Sequence, residues 1–307
     1  MRNLKELRYT IQKITKDHIK KYKTFVFGQN LLGVGAVDNT LPKSKKGIID
    51  LPMADVAGGG IVAGSALVKK KPIYIIRYQG YNWFNMIFIV NYACKSKSIW
   101  KIPCPIWIRG IANEGSIGPV AGSSHISIFY KMPGIKIFSP MTHAEYIQTY
   151  KNFEKDDDVY YISEHKKSFS NTKKLNNFFP KNPDLILMSI SITRFEAEHV
   201  KNYFLQKGKK IAIYHLYKLK PLLIPKKIKK YFYTSKNGIL ISDNDYVDGL
   251  ARIVAHKITN QCNFAIKVNV IGLKDKVAGH HPSVDVLPPS HLDLIKKINN
   301  ICNFKKN

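Results

Sequence analysis

The apolar residues of this chain recur with two alternating spacings. Leu4, Leu7, Ile11, Ile14 and His18 follow each other at three- and four-residue steps, which predicts an amphipathic helix over residues 4–21. Short runs of continuous apolar residues come next, and each predicts a buried strand. The runs are Thr24–Phe27, Pro72–Arg77, Pro105–Arg109, Ile135–Phe138 and Val159–Ile162, with helical patterns such as Trp83–Lys95 between them. This alternation predicts an α/β fold whose parallel sheet is covered on both faces.

The pattern breaks once and then resumes. From Lys166 to about Asn182 the chain is rich in Lys, Ser, Asn and Pro, which is typical of a linker. A second alternation follows, with strands predicted at 184–189, 210–214, 238–242 and 264–268 and helices at 195–206 and 249–258. At 307 residues the chain is long enough for two separate cores. The expected organisation is two doubly wound α/β domains, residues 1–165 and 184–307, joined by a linker at residues 166–183.

One carboxylate stands in an unusual setting, ahead of a helix rich in small residues. The stretch Ile48–Ala57 places Asp55 behind Pro52, and three glycines at positions 58–60 follow it. Proline fixes the turn, and the small residues predict a helix that packs closely against its neighbours. The carboxylate either caps the N-terminus of this helix, as Asp commonly does, or serves a reaction.

The net charge of +28 raises the question of a polyanionic partner. Neutralisation of phosphates by Lys drives nucleic-acid binding, but here the lysines are spread along the chain and no recognition motif accompanies them. Abundant Lys, Asn, Ile and Tyr together are typical of an AT-rich coding sequence. We therefore expect no nucleic-acid partner, and an acidic partner surface or anionic substrates are the next explanation of the charge.

Neither a membrane span nor a metal site is predicted. The longest nearly uncharged apolar runs, such as Met86–Val90, are far shorter than the roughly 20 residues of a membrane span. The N-terminal segment lacks the apolar core of a signal peptide, so a cytoplasmic location is expected. The four cysteines form no CxxC pair and have no histidine at metal-ligand spacing, which predicts reduced thiols in the core.

Four motifs, in this order and spacing, resemble the beta subunits of 2-oxoacid dehydrogenases and, equivalently, the pyrimidine-binding and C-terminal domains of transketolase-like thiamine diphosphate enzymes. The first is the acidic turn around Asp55. The second runs from Lys71-Pro72-Ile73 to Asn91-Tyr92-Ala93-Cys94-Lys95 and matches the family's strand, aromatic turn and helix without a gap. Pro133–Pro140 and Tyr214–Leu222 match two further motifs. The resemblance covers nearly the whole chain and implies a pyrimidine-binding domain followed by a transketolase C-terminal-like domain.

The resemblance implies a catalytic role for Asp55. In the family a carboxylate at this position, usually Glu, bonds the ring nitrogen of the cofactor's aminopyrimidine and favours the tautomer that acts as an internal base. An aromatic residue from the turn after the next strand stacks on the pyrimidine. That family residue aligns on or near Gln79, so Tyr78, Gln79 and Tyr81 are the candidate cofactor-binding residues. The alternative for the two tyrosines is that they fill core or interface.

The loop Gly115–His125 corresponds to the family's active-site loop, which usually carries a histidine. Strict spacing places Ala121 at that position, and His125 follows four residues later. The resemblance therefore makes His125 the candidate proton shuttle and the second predicted catalytic residue. A structural or solvated role is the alternative for a single histidine in a loop.

The sequence lacks one half of the implied cofactor site. Binding of the diphosphate through Mg²⁺ requires, in this superfamily, a GDG motif followed by Asn residues, and this chain has no such pair. The resemblance implies that an alpha subunit holds the diphosphate and Mg²⁺ in an α2β2 heterotetramer built around a beta–beta dimer, with a lipoyl acyltransferase as a further candidate partner.

The implied function is that of a beta subunit in 2-oxoacid decarboxylation and aldehyde-unit transfer. Two alternatives stay open. One is half of a split transketolase-type ketol transferase, and the other is a catalytically dead structural subunit.

Overall fold

The computed structural model describes residues 6–33, 35–114, 124–276 and 287–304, which form two β-sheets and their flanking helices. The strands are β1 (Val26–Gln29), β2 (Ile48–Leu51), β3 (Ile73–Ile76), β4 (Trp107–Ala112), β5 (Ile135–Phe138), β6 (Val159–His165), β7 (Leu185–Ile190), β8 (Ile211–Leu216), β9 (Lys218–Lys220), β10 (Ile239–Tyr246) and β11 (Val268–Leu273). The helices are α1 (Leu7–Tyr22), α2 (Asp55–Leu67), α3 (Asn82–Asn85), α4 (Cys94–Ile99), α5 (Ser127–Tyr130), α6 (His143–Glu154), α7 (Thr193–Gln206), α8 (Lys226–Thr234), α9 (Leu250–Gln261) and α10 (His291–Cys302). Short 3₁₀ helices span Ala36–Asn39, Gln79–Tyr81 and Lys166–Ser170, and a π-helical turn spans Ile89–Ala93.

The first sheet has the strand order β2-β1-β3-β4-β6-β5-β9. Six of these strands run parallel, and β9 pairs antiparallel with β5. Every residue of β3 and β4 is buried, because helices cover both faces of the sheet. On one face α1 and α6 pack around Trp107, and on the other α2 and the π-helical turn pack around Val62 and Ile89.

The second sheet has the order β11-β10-β7-β8, and its described pairs are all parallel. Helices α7 and α10 cover one face around Phe204 and Leu294. Helices α8 and α9 cover the other face, and their core is continuous with the core under α2 of the first sheet. Strand β9 also joins the two halves, since it follows the predicted linker but pairs in the first sheet. The predicted fold class, two doubly wound α/β units, is confirmed.

Most predicted elements are present with shifted ends. Helix α7 starts two residues before its predicted position, and β7 covers almost the predicted strand. The predicted helix 83–95 is divided into α3, the π-helical turn and the start of α4. The predicted linker begins with a 3₁₀ helix, and its Phe178 pairs with Ile213 at the edge of the second sheet. Strands β2 and β9 and helices α8 and α10 were not anticipated from the sequence.

The predicted strand at 264–268 is wrong. Strand β11 begins at Val268, and the apolar residues before it serve another element. Phe264 stacks on Tyr233 of α8, with ring centroids 3.8 Å apart and ring planes 27° apart. The apolar run therefore covers a helix, and periodicity alone does not distinguish that use from a buried strand.

Two predictions, on membrane-spanning helices and on the cysteines, can be compared with the structure. None of the helices within the described ranges is long and apolar enough to cross a membrane. All four cysteines are free thiols, as predicted, but only Cys94 and Cys104 are buried in the core, whereas Cys262 and Cys302 are half-buried. Burial raises the pKa of Cys94 to about 12 and the pKa of Cys104 to about 11, so these two remain protonated at neutral pH.

A buried histidine of α1 should make the stability of the fold depend on pH. His18 is fully buried, with its Nδ1 2.8 Å from the Tyr150 hydroxyl and its Nε2 2.8 Å from the Lys71 carbonyl oxygen. Burial lowers the pKa of His18 to about 4, whereas an unfolded histidine titrates near 6.5. Between these values the unfolded chain binds the additional proton, so stability falls as the pH falls through this window. From pH 7.5 to pH 5 this group should remove about 2 kcal/mol of unfolding free energy.

The measurement is urea denaturation of the wild type and His18→Gln at pH 7.5 and pH 5. The wild type should lose about 2 kcal/mol more than the variant over this interval. His256→Gln is the matched control, since His256 lies on the exposed side of α9 and its replacement should leave the pH dependence as in the wild type. Equal losses in the wild type and His18→Gln would contradict the assignment.

Candidate functional site

Asp55 is the first residue of α2, and its carboxylate is fixed by side chains outside that helix. Ala54 occupies the N-cap position, and no side chain caps the helix there. Asp55 Oδ1 accepts hydrogen bonds from Gln29 Nε2 at 2.6 Å and from Asn85 Nδ2 at 2.8 Å. The interpretation of Asp55 as a helix cap is therefore wrong. Among the described residues, none donates a hydrogen bond to Asp55 Oδ2. This oxygen of the half-buried side chain can therefore accept a hydrogen bond from a ligand.

A pocket of about 300 Å³ lies beside this carboxylate, where β1 and β3 end. The carboxyl ends of parallel strands are the common place for ligands in open α/β sheets. Gln29 and Asn85, the two donors to Asp55, both line the pocket. The other lining residues are Asn30, Met53, Ile75, Ile76, Arg77, Tyr78 and Tyr81.

A close contact between two helices brings Asn85 to Asp55. A Cβ atom on Gly59 of α2 would overlap the carbonyl oxygen of Asn85 at the end of α3, so glycine is required for this approach. The Asn85 amide is also oriented, because Tyr74 on β3 donates its hydroxyl proton to Asn85 Oδ1 and leaves Nδ2 for Asp55. Burial, with the nearby Asp55 charge, raises the pKa of Tyr74, and this keeps its hydroxyl a donor.

The two candidate tyrosines meet at the pocket. Their ring centroids are 6.1 Å apart with ring planes at 47°. Asn85 Nδ2 also donates to the Tyr81 carbonyl oxygen at 2.9 Å, which connects Tyr81 to Asp55 through one residue. The Arg77 guanidinium lies 5.6 Å from the centroid of the Tyr78 ring, within cation–π range. The structure thus brings Tyr78 and Tyr81 together at one pocket, and Gln29 and Asn85 connect that pocket to Asp55.

Gln79 is placed differently from the tyrosines beside it. Its side chain is fully buried, and both ends of its amide are bonded to protein. Nε2 donates to Gly110 O at 3.1 Å and to Ser163 Oγ at 2.8 Å, while Oε1 accepts from Ser124 Oγ at 3.3 Å and from His125 N at 3.0 Å. Gln79 therefore joins β4 and β6 to the segment that follows the predicted active-site loop, and it presents no surface to the pocket.

His125 is connected to the turn 78–81 through that backbone bond to Gln79. Its half-buried ring lies beside the second sheet, with its centroid 6.4 Å from that of Tyr246. Residues 115–123, which include Ala121, lie outside the described residues. The assignment of this segment as an active-site loop, and of His125 as its proton shuttle, stays a prediction.

Buried side chains hold both ends of the segment 115–123. Before it, Glu114 Oε2 lies 2.6 Å from His165 Nε2, and Glu114 Oε1 accepts from Asn244 Nδ2 at 2.9 Å. After it, Ser127 N donates to Asp245 Oδ2 at 3.3 Å. Burial favours a higher pKa of Glu114, but His165, Asn244 and Lys167 together outweigh burial and lower that pKa. Since Asn244 and Asp245 belong to β10, the second sheet contacts the first half at Glu114 and at Ser127.

The surface next to Asp55 is apolar and exposed. A shallow groove of about 560 Å³ runs past Asp55 between Val56, Phe84 and Phe88. Phe84 is 54% exposed and the adjoining Trp83 is 57% exposed. Ile61, Ile87 and Tyr92 continue the exposed apolar surface on the same elements. A large exposed apolar surface of this kind marks an interaction site.

The described part of the chain holds no cluster of three or more His, Cys, Asp or Glu side chains arranged to bind a metal ion. The polar groups around the pocket are mainly amides, hydroxyls and one guanidinium. These groups suit hydrogen bonding to an uncharged ring better than they suit a divalent cation, which prefers carboxylate oxygens.

Sequence reasoning missed three residues that position Asp55, namely Gln29, Tyr74 and Asn85. A weak signal exists for Gln29, because a polar residue that ends a buried strand of a parallel sheet is placed at the ligand-binding edge. For Asn85 the signal is a polar residue inside an apolar helix. Its distance to Asp55 depends on the contact at Gly59, which no linear spacing encodes.

Comparison with known proteins agrees with this geometry. The family profile described as transketolase, pyrimidine binding domain, matches residues 12–171. In fold the chain is similar to a split-gene transketolase solved as an inactive beta4 tetramer, with a TM-score of 0.75 and 14% identity over 98% of this chain and 99% of that chain. It is also similar to transketolase from Campylobacter jejuni subsp. jejuni, with a TM-score of 0.72 and 14% identity over 96% of this chain. No curated protein sequence was found to match.

The chain spans 46% of the length of the Campylobacter jejuni enzyme. The two structural similarities establish the fold. The profile match adds the family, because it covers more than half of the chain and includes Asp55, the pocket turn 78–81 and His125. The predicted resemblance is therefore confirmed: the chain belongs to the transketolase pyrimidine-binding domain family of thiamine diphosphate enzymes.

Proposed function

We propose that this chain is the beta-type subunit of a two-chain thiamine diphosphate enzyme that decarboxylates a 2-oxoacid and transfers the resulting aldehyde unit. The arrangement around Asp55 carries the proposal. Two amides fix one carboxylate oxygen, the other oxygen is open to a ligand, and the same two amides line the pocket to which Tyr78 and Tyr81 contribute. An exposed apolar surface adjoins this half-site.

The residues fit the pyrimidine half of the cofactor. An aminopyrimidine offers a ring nitrogen that bonds to a carboxylate and a flat face that stacks on an aromatic ring. Asp55 Oδ2 supplies the carboxylate contact, and the rings of Tyr81 and Tyr78 supply the aromatic surface. The pocket volume of about 300 Å³ is enough for a substituted six-membered ring. When bound, the cofactor supplies a carbon nucleophile that attacks a carbonyl group.

Different residues of this chain position Asp55, Asn85 and His125. Gln29 and Asn85 hold Oδ1 of Asp55, so Oδ2 stays directed at the ligand. Tyr74 holds Asn85 through its hydroxyl. We assign His125 to proton transfer near the substrate, where the bond from its backbone to Gln79 would set its position. Small displacements matter here, because misplacement by about 1 Å can cost about 100-fold in rate.

The diphosphate and its Mg²⁺ are assigned to an alpha subunit. The groove past Val56, Phe84 and Phe88 leads from the Asp55 carboxylate to the exposed apolar surface. Burial of such aromatic side chains is typical of a stable subunit interface. We therefore propose a beta–beta dimer within an α2β2 heterotetramer, with the complete cofactor site formed between subunits.

The test is cofactor binding with and without the alpha subunit. By calorimetry the isolated chain should show no micromolar Mg²⁺-dependent binding of thiamine diphosphate, because it provides contacts to the pyrimidine alone. Co-purified with its alpha subunit it should bind the cofactor, and light scattering should report the mass of an α2β2 assembly. Micromolar binding to the isolated chain, or a stable monomer in the presence of the alpha subunit, would contradict the proposal.

A second candidate function is ketol transfer by a split transketolase. It is favoured by the fold similarity to a split-gene transketolase over nearly the full length of both chains. The reconstituted complex distinguishes the two reactions. Release of carbon dioxide from a 2-oxoacid in the presence of an artificial electron acceptor supports the first. Transfer of a two-carbon unit from a ketose donor to an aldose, without carbon dioxide release, supports the second.

A further inference from the structure

A second depression, of about 840 Å³, lies between the predicted linker and α8. Its apolar floor contains Phe179, Ile228 and Tyr231. Three exposed lysines, Lys181, Lys227 and Lys230, stand along it, and none of its described lining residues is acidic. We call this depression the basic groove and these side chains the groove lysines. It is built from different elements than the Asp55 pocket, so it can be tested independently of the proposed function.

The charge around the basic groove is not balanced by the chain itself. Residues 165–183 contain five Lys, residues 199–242 contain 11 Lys, and neither stretch contains Asp or Glu. Some lysines of the chain have carboxylate partners, as Lys21 does in Glu154 at 2.8 Å and Lys166 does in Asp38 at 3.3 Å. The groove lysines have no such partner among the residues that the structure describes. Asp184, the nearest acidic residue along the chain, is already bonded to Lys236 at 2.8 Å.

This local imbalance differs from the general excess of lysine. Three like charges around one apolar groove repel each other, and a bound anion relieves that repulsion. A lysine presents a compact charge on a flexible stem, which suits carboxylates at varied positions. The apolar floor adds a place for an uncharged side chain between two acidic ones.

The aromatic rings of the groove argue against stacking with nucleic-acid bases. Phe179 and Tyr231 stack on each other, with ring centroids 4.6 Å apart and planes at 27°. Phe179 also packs against Tyr214, with centroids 6.1 Å apart. Single-stranded nucleic acids are held by aromatic faces that are free to stack on bases, and here Phe179 and Tyr231 each use one face on the other ring.

We propose that the basic groove binds an extended acidic segment of a partner protein. Its carboxylates pair with the groove lysines, and an apolar side chain between them contacts Phe179 and Ile228. The volume of the depression, about 840 Å³, and its two walls, the linker and α8, suit a peptide more than a single small anion.

The experiment measures binding of a fluorescently labelled peptide of about ten residues, mainly Glu with a central Leu, by anisotropy at low and high salt. The variant Lys181→Gln/Lys227→Gln/Lys230→Gln removes the three charges. Exposed ion pairs each contribute a factor of roughly two to five in affinity, so this variant should bind at least about ten-fold more weakly. The difference should shrink as salt is raised, because exposed charges are screened.

The matched control is Lys13→Gln/Lys16→Gln/Lys20→Gln on the exposed side of α1, which removes the same net charge from another surface. It should weaken peptide binding less than two-fold. An equal effect of both triple variants would show attraction by the total charge and overturn the proposal. It would also be overturned if a ten-nucleotide oligothymidylate bound more tightly than the peptide and depended on the same lysines, since the groove would then be a nucleic-acid site.

Discussion

Replacement of Asp55 by Asn should reduce turnover of the complex reconstituted with its alpha subunit by at least about 100-fold, the scale of removing a positioned acid–base group. The hydrogen bonds around Asp55 explain why the loss is so large. Gln29 and Asn85 both donate to the same position, so the oxygen of the new amide remains there and its NH₂ group takes the place of Oδ2. The group that faces the pocket then changes from an anionic acceptor to a neutral donor.

The stability of Asp55→Asn should be close to that of the wild type. The carboxylate does not cap α2, so the cost of about 1 kcal/mol that follows loss of a helix cap is not expected. Asp55→Glu tests the spacing, since the added methylene moves the carboxylate away from its two amide donors, and partial activity is expected. Asp248→Asn, at an exposed residue beside α9, is the control for the change from Asp to Asn and should keep full activity. Unchanged turnover in Asp55→Asn would instead identify a subunit whose Asp55 does not act on the cofactor.

The fold was largely predictable because its strands are buried on both faces. Continuous apolar runs such as Ile73–Ile76 and Leu185–Ile190 stand out in the sequence since no solvent-facing positions interrupt them. Strand β2 escaped prediction because it is short and Asp50 within it is exposed. Strand β9 was not predicted because it has only three residues, Lys218–Lys220. It follows the predicted linker but pairs with β5 of the first sheet, and such pairing leaves no local pattern in the sequence.

The sequence predicted the residue proposed to act on the cofactor, Asp55. It did not predict the contacts that hold this residue in position. Asp55 stands out through its place before a glycine-rich helix. Gln79 stands in an aromatic turn, and the sequence grouped it with the cofactor contacts. In the structure its four hydrogen bonds join strands β4 and β6 to the segment at His125. A side-chain amide can contact a cofactor or can link buried parts of the protein. Which of the two it does depends on the buried groups around it.

The contact between α2 and α3 gives the second large effect, on stability. Gly59→Ala should destabilise the chain by about 2 kcal/mol, since overpacked sites typically cost about 1–3 kcal/mol. The new Cβ would overlap the Asn85 carbonyl oxygen, and backbone cannot rotate away as a side chain can. Ala is preferred over Gly in a helix by about 1 kcal/mol, which offsets part of the strain. Displacement of α3 would also move Asn85 from Asp55, so activity of the reconstituted complex should fall as well.

Gly64→Ala is the matched control, because it makes the same substitution in the same helix. A Cβ at Gly64 meets no atom within 4 Å, and the position is exposed. Here only the helix preference acts, so Gly64→Ala should stabilise the chain by about 0.5–1 kcal/mol and leave activity unchanged. Urea denaturation of both variants should therefore give shifts of opposite sign. If both variants were stabilised, α3 would not lie against Gly59, and the position of Asn85 beside Asp55 would need another cause.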